Sequence, residues 1–235
     1  MSYGYSYPIA ARAQSAERAA FIRRTYSHLA GAILAFMALE TVLLNLPGID
    51  QVMVGMFGGG RLGWLVVLGA FLLVGWIAQS WAYSDTSRGL QYLGLSLYVV
   101  AEAVIFLPLL WFANSFDANV IPTAGILTLA VFGGLTLAVF VTGKDFSFLR
   151  PILAVASLLA LGFIVASAFI GFSLGSLFAF AMVALMSGYI LYYTSNVMYH
   201  FRTDQHVAAA LALFAAVATL FWYILQIVMS ANSRR

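Results

Sequence analysis

Two carboxylates stand inside apolar runs of this chain, and they are the first residues to which chemistry can be assigned. Glu102 lies near the middle of Leu97-Tyr-Val-Val-Ala-Glu-Ala-Val-Ile-Phe-Leu-Pro108. In a membrane-crossing segment an acid at that depth costs roughly 2.5–3.5 kcal/mol on insertion scales, and such side chains face the interior. No Lys or Arg occurs within any of the long apolar runs to pair with it. Glu102 is therefore expected to be protonated at neutral pH, bound to a cation, or turned toward a water-filled cavity. Tyr98, one helical turn earlier, is placed to hydrogen-bond to it. Two roles stay open: a neutral carboxylic acid joining two helices, and a transport or proton-sensing group. Pro108 predicts a kink or local break that frees a carbonyl near the acid. Glu40 lies a turn and a half before Asn45 and reads as a solvated residue at the outer interface.

A second concentration of polar groups closes the apolar run that begins near Leu174. In and beyond Gly188-Tyr-Ile-Leu-Tyr-Tyr-Thr-Ser195, helical spacing puts Tyr189, Tyr192, Tyr193, Asn196, Tyr199 and His200 on one broad side. Composition favours an aromatic belt at the membrane surface. The other reading is a bundle interior or wet cavity, with Glu102, Tyr98, Tyr189, Tyr193 and Asn196 as the candidate pore or polar core. Catalytic residues are not expected. His28, His200 and His206 form no H-E-x-x-H pattern, no G-x-S-x-G elbow or P-loop occurs, and no metal site is assigned. Without cysteine, disulfide scaffolds and cysteine-based redox or metal sites are excluded.

The elements that must hold these residues follow from composition. With 63% hydrophobic and 8% charged residues, and a mean hydropathy of +0.98, the chain departs from soluble domains, which carry roughly a quarter charged residues. Repeated apolar runs of about 20 residues point to a polytopic helical membrane protein. Seven spans are predicted, at about 26–46, 62–82, 90–112, 121–142, 151–171, 174–194 and 207–230. They form one transmembrane domain over 26–230, between an N-terminal tail (1–25) and a C-terminal tail (231–235). Pro47-Gly48 and Gly58 to Gly60, Asp85 to Gly89, Asn114 to Asn119, Gly143 to Asp145, Gly171 to Gly175, and Thr203 to Gln205 supply the turns. Tyr3 to Pro8 reads as flexible, and Ala10 to Arg24 as a short surface helix. Gly162, Ala166, Ala168, Gly171 and Gly175 read as close helix packing.

Charge placement orients this layout. With the N-terminus inside, Arg12, Arg18, Arg23, Arg24, Arg88, Lys144, Arg150 and Arg202 fall on the inner side, leaving Arg61, Arg234 and Arg235 outside. That distribution obeys the positive-inside rule and puts the C-terminus outside. Anionic lipid accounts for the inner arginines, and nothing suggests nucleic-acid binding.

Three stretches together resemble one family. Phe21-Ile-Arg-Arg-Thr-Tyr-Ser-His-Leu29 looks like the entry to the first helix of Bax inhibitor-1 (transmembrane BAX inhibitor motif) proteins. Glu102 followed by Leu107-Pro-Leu-Leu110 is similar to a third-helix pattern in bacterial members. Gly188 to Ser195, followed by Ala209 to Leu225, looks like the sixth and seventh helices. The resemblance covers about residues 21–230 and implies a seven-transmembrane-helix bundle of the Bax inhibitor-1 type, with a central last helix. It moves the tyrosine-rich stretch from surface belt toward the bundle core.

It also implies pH-sensitive calcium leak, with calcium as transported ion and no bound cofactor. In the family that activity is linked to two aspartates, in the sixth and seventh helices. This sequence has Tyr193 and Ala216 at those positions, so the di-aspartyl latch cannot operate. A phenol titrates near pH 10 and cannot replace a carboxylate switch near neutrality. The loss resembles the YccA branch, whose members are linked to the membrane protease FtsH as substrate and modulator, through a cytosolic N-terminal tail. The resemblance thus implies a protein of the bacterial inner (cytoplasmic) membrane, with the lipid bilayer and FtsH as partners.

Overall fold

The computed structural model describes residues 7–58, 60–84 and 87–232. Of the sequence expectations, the Tyr-rich start (residues 1–6), part of the Asp85 to Gly89 turn, and Arg234 and Arg235 lie outside the described residues, as does the Arg61 side chain. Among the described residues the chain is helical apart from one antiparallel bridge, Ile9 to Arg202. A 3₁₀ turn (Ala10–Arg12) leads into α1 (Ser15–Leu44), α2 (Ile49–Gly58), α3 (Gly60–Ala82), α4 (Arg88–Phe116), α5 (Val120–Thr142), α6 (Leu149–Ile170), α7 (Gly175–Tyr199) and α8 (His206–Asn232). All but α2 are long and apolar enough to cross a membrane, which gives seven spans.

The spans form a bundle around α8. In its most apolar stretch 78% of α8 is buried, against 11% for α6. The Ala-rich run from Val207 to Ala218 explains this: small side chains on every face let α1, α4, α5 and α7 approach it together. Ile126, Leu137, Val141, Leu158 and Phe169 point outward and are largely exposed. An apolar surface of that extent requires a bilayer around it.

Three local features differ from the sequence expectations. The glycine-rich link after the first span contains α2, because the glycine-free stretch Ile49 to Val54 coils after Gly48 and the helix continues through Gly55. Met53 is fully buried there, and the Asp50 carboxylate accepts a 2.8 Å bond from the Trp111 indole N–H. The tail is continuous with the first span, since α1 runs unbroken from Ser15. Its 30 residues span about 45 Å, so the first turns project beyond a hydrocarbon core of about 30 Å. Helix α4 continues through Pro108 to Phe116 without a break. The proline still lacks the N–H that would meet the Val104 carbonyl.

Candidate functional site

Glu102 and Tyr98 share one face of α4, with Val99 and Phe106, and that face is turned into the bundle. Glu102 is only 3% exposed. Tyr98 lies beside it, one turn earlier on the same face. The Tyr98 ring is wedged between Phe71 of α3 (centroids 6.1 Å) and Phe214 of α8 (6.2 Å). Gly75 makes room for it: a Cβ there would lie 3.4 Å from the ring. Helices α3 and α4 are drawn together at Gly94, one turn earlier. A Cβ at Gly94 would fall 2.5 Å from the Ala78 carbonyl oxygen and 2.7 Å from the Ala82 nitrogen.

The tyrosine-rich end of α7 divides in two. Tyr193 comes close enough to Tyr98 to interact with it electrostatically. It stacks on Tyr189 at 5.5 Å, and the Tyr189 hydroxyl lies 2.9 Å from the Ser157 hydroxyl and 3.4 Å from the Leu153 carbonyl. Glu102 with Tyr98 on α4, and Tyr193 with Tyr189 on α7, are thus two neighbouring polar groups that line up as a seam toward α6. Asn196 is buried in the last turn of α7, where its carbonyl receives the N–H groups of His200 (2.8 Å) and Phe201 (2.9 Å). Ala216 is buried on α8 and brings no polar atom.

Tyr199 and His200 point instead at the α5–α6 link. The Tyr199 hydroxyl donates to the Gly143 carbonyl (2.6 Å), and His200 Nε2 meets the Asp145 carboxylate at 2.8 Å. Asp145 titrates below its ordinary range. Slight burial pushes it up, but the Ser147 backbone N–H and side chain and the His200 ring outweigh that. These two residues are a surface clamp, separate from the seam.

Glu40 corrects the sequence expectation. It is 4% exposed rather than solvated, and both carboxyl oxygens are enclosed without a hydrogen-bond partner. Distance to the helix end suggested an interface position, but helical phase decides. Glu40 continues the face of Leu29, Ala32 and Phe36, which packs on α4 and α8.

Two further clusters escaped the sequence reading. Tyr26 of α1 lies beside Thr194 of α7 and Thr136 of α5, with Thr25 also buried; none of these four hydroxyls makes a well-aligned bond. Midway along α1 and near the starts of α4 and α8, His28, Tyr92 and His206 meet. His28 Nδ1 lies 2.7 Å from the Arg24 carbonyl, so it carries the hydrogen, and Nε2 accepts from the Tyr92 hydroxyl (3.2 Å). The same hydroxyl is 3.5 Å from His206 Nε2, and His206 Nδ1 is enclosed without a partner. The signal for both clusters was the topology, which puts these parts of the helices at one membrane face. Among the described residues no three His, Cys, Asp or Glu side chains come together as a metal site. Calcium takes six to eight oxygen ligands, so one carboxyl and one phenol suit a passing cation rather than a held one.

Comparison with known proteins adds a sequence likeness that spans the whole bundle. A family model described as inhibitor of apoptosis-promoting Bax1 matches residues 18–234. The chain is similar to a BI1-like protein of Arabidopsis thaliana, at 28% identity over 97% of this chain and 87% of that protein. Similar too are Protein LIFEGUARD 4 of the same plant (28%, over 90% and 85%) and an uncharacterized protein of Pseudomonas aeruginosa (27%, over 92% and 91%).

Proposed function

We propose that this chain, which belongs to the Bax inhibitor-1 family, provides a cation leak across the membrane, with Glu102 as the residue that gates it. The observation that carries the reading is the burial of an acid at mid-span, 3% exposed, on a seam of tyrosines that reaches two other helices. An apolar residue would pack there at no electrostatic cost, and Glu102 differs from the buried Glu40 in having a tyrosine beside it. The enclosure of Glu102 corresponds to a closed state. Calcium is the proposed ion and enters as cargo. The gate works without the family's paired aspartates, since Tyr193 and Ala216 hold those positions.

The proposed location is the bacterial inner (cytoplasmic) membrane, with the N-terminus in the cytoplasm and the C-terminus outside. The bias of basic residues supports this orientation. A reporter fused after Arg235 that is active only in the cytoplasm would contradict it. An enzymatic role is not proposed. His200 and Asp145 make a pair, but Ser195, in the adjacent turn, donates its hydrogen to the Tyr192 carbonyl and not to that histidine.

A second reading, modulation of FtsH without flux, draws support from the lost aspartates. It places engagement in the N-terminal tail. From Pro8 onward that tail is held to the α7–α8 link: Ala10 N–H donates to Phe201 (2.8 Å), Thr203 N–H to Pro8 (3.1 Å), and the Thr203 hydroxyl to Glu17 (2.6 Å). Calcium flux in proteoliposomes at several pH values separates the readings. Flux in the wild type that falls in Glu102→Gln supports the leak. No flux from correctly folded protein leaves the modulator reading, for which co-purification of the protease, lost on deleting residues 1–20, is the test.

A further inference from the structure

Helices α1 and α4 run side by side in the same direction, since His28 meets Tyr92 at one end and Phe36 meets Phe106 further along. Between those contacts they part. Ala32, Leu95 and Val99 are buried and form the floor of a groove of about 390 Å³, while the exposed Gly31, Ala35 and Val100 form its rims. Gly31 keeps it open: a Cβ there would meet nothing within 4 Å. The groove reaches from Ser27 to Leu39 on α1. Twelve helical residues cover about 18 Å, close to half of a hydrocarbon core of about 30 Å. It is therefore as deep as one leaflet, and its walls are apolar along that depth.

The mouth is polar and positive. Ser27, His28 and Ser96 line it. Arg24 stands one turn before His28, and Arg88 one turn before Tyr92. The charges of both arginines are felt at His206, whose ring packs on His28, so both cations lie at this end of the groove. Among the described residues neither arginine has a carboxylate partner. Asp204, the described acid whose charge reaches His206, is engaged by Arg202 through two bonds of 3.1 Å.

We propose that this groove is a binding site for an anionic phospholipid. One acyl chain lies along Ala32, Leu95 and Val99, and the phosphate sits between Arg24 and Arg88, at the end of the groove lined by Ser27 and Ser96. Apolar depth alone would accept any lipid; the two cations give preference for a negatively charged headgroup.

The test is lipid retention by the full-length protein, measured by native mass spectrometry from mixed micelles holding equal phosphatidylglycerol and phosphatidylcholine. The expected preference for phosphatidylglycerol is roughly 30-fold for two basic side chains at an anionic headgroup. It should collapse toward unity in Arg24→Gln/Arg88→Gln. Ala35→Phe, which fills the groove and leaves the arginines in place, should lower retention of both lipids. Leu34→Phe, on the same helix but outside the groove, should change nothing. Equal retention of the two lipids by the wild type would overturn the proposal, as would indifference to Ala35→Phe or an equal loss in Leu34→Phe. Displacement of the lipid by soluble glycerol phosphate at matching concentration would also overturn it, because the groove would then contribute nothing.

Discussion

The contact at Gly94 sets the most demanding packing condition in the bundle, and a single methyl group tests it. In Gly94→Ala the new Cβ would stand 2.5 Å from the Ala78 carbonyl oxygen, 2.7 Å from the Ala82 nitrogen and 3.1 Å from the Trp81 Cβ. Two of these neighbours are backbone atoms of α3, so no rotamer change relieves the clash. Ordinary contact begins near 3.4 Å, so the helices must separate locally by about 1 Å, an overpacking that costs about 1–3 kcal/mol. Alanine is better than glycine in a helix by about 1 kcal/mol, which offsets part of that cost. Gly162→Ala isolates the helix term, because Gly162, like Gly175, is exposed rather than closely packed as the sequence suggests, and a Cβ there meets nothing within 4 Å. Reversible unfolding in detergent is the assay for both variants. Gly94→Ala is expected to lose stability while Gly162→Ala gains up to about 1 kcal/mol. Because Tyr98 is one turn from Gly94, separation of α3 and α4 should also loosen the ring beneath Glu102. Equal gains in stability for both variants would refute the close α3–α4 approach.

Other consequences follow from burial and charge. Glu40→Met exchanges an enclosed, unpartnered carboxyl for an apolar side chain of similar length and should raise stability by about 1–3 kcal/mol; a loss in the same unfolding assay would mean that the carboxyl has a partner. Asp145 is held below its ordinary value of 3.8, so its bond to His200 stabilises the α5–α6 link above about pH 4. That contribution is lost as pH falls through the lowered value, because the unfolded chain then binds the proton less reluctantly than the folded one. Hydrogen-exchange protection at Phe146 and Ser147, taken relative to the intrinsic rate at each pH, should fall on acidification below pH 4 in the wild type, and Asp145→Asn should abolish that change in protection. Protection that still falls in the variant would assign the change elsewhere.

The fold was legible because the bilayer imposes it. Runs of about 20 apolar residues, breaks at Gly143 and Gly171, and basic residues gathered on alternate links define the seven spans. The short helix α2 was not, since the turn signals at Pro47-Gly48 and from Gly58 on masked the apolar period of Ile49 to Val54. For the site, residue type pointed to Glu102, Tyr98, Tyr189 and Tyr193, because polar groups in apolar runs are few and costly. Their grouping on one seam required tertiary contacts that no periodicity reveals. Glu40 was misjudged because distance from a helix end outweighed helical phase. The His28, Tyr92 and His206 cluster joins positions up to 178 residues apart in sequence, and only the arrangement of the helices at one membrane face hints at it. Tyr199 and His200 share the polar side of Tyr189 by spacing, yet α7 ends between them and turns their side chains to the α5–α6 link.

The central claim is that Glu102 gates a cation path, and calcium flux into proteoliposomes measures it most directly. Wild type and Glu102→Gln should be compared at matched protein content from pH 5 to 8, with folding checked by unfolding in detergent. The substitution keeps shape but removes the ionisable group. The account predicts flux in the wild type that varies with pH, and flux in the variant that is lower and flat across the range. Equal flux with the same pH profile in both proteins would contradict it.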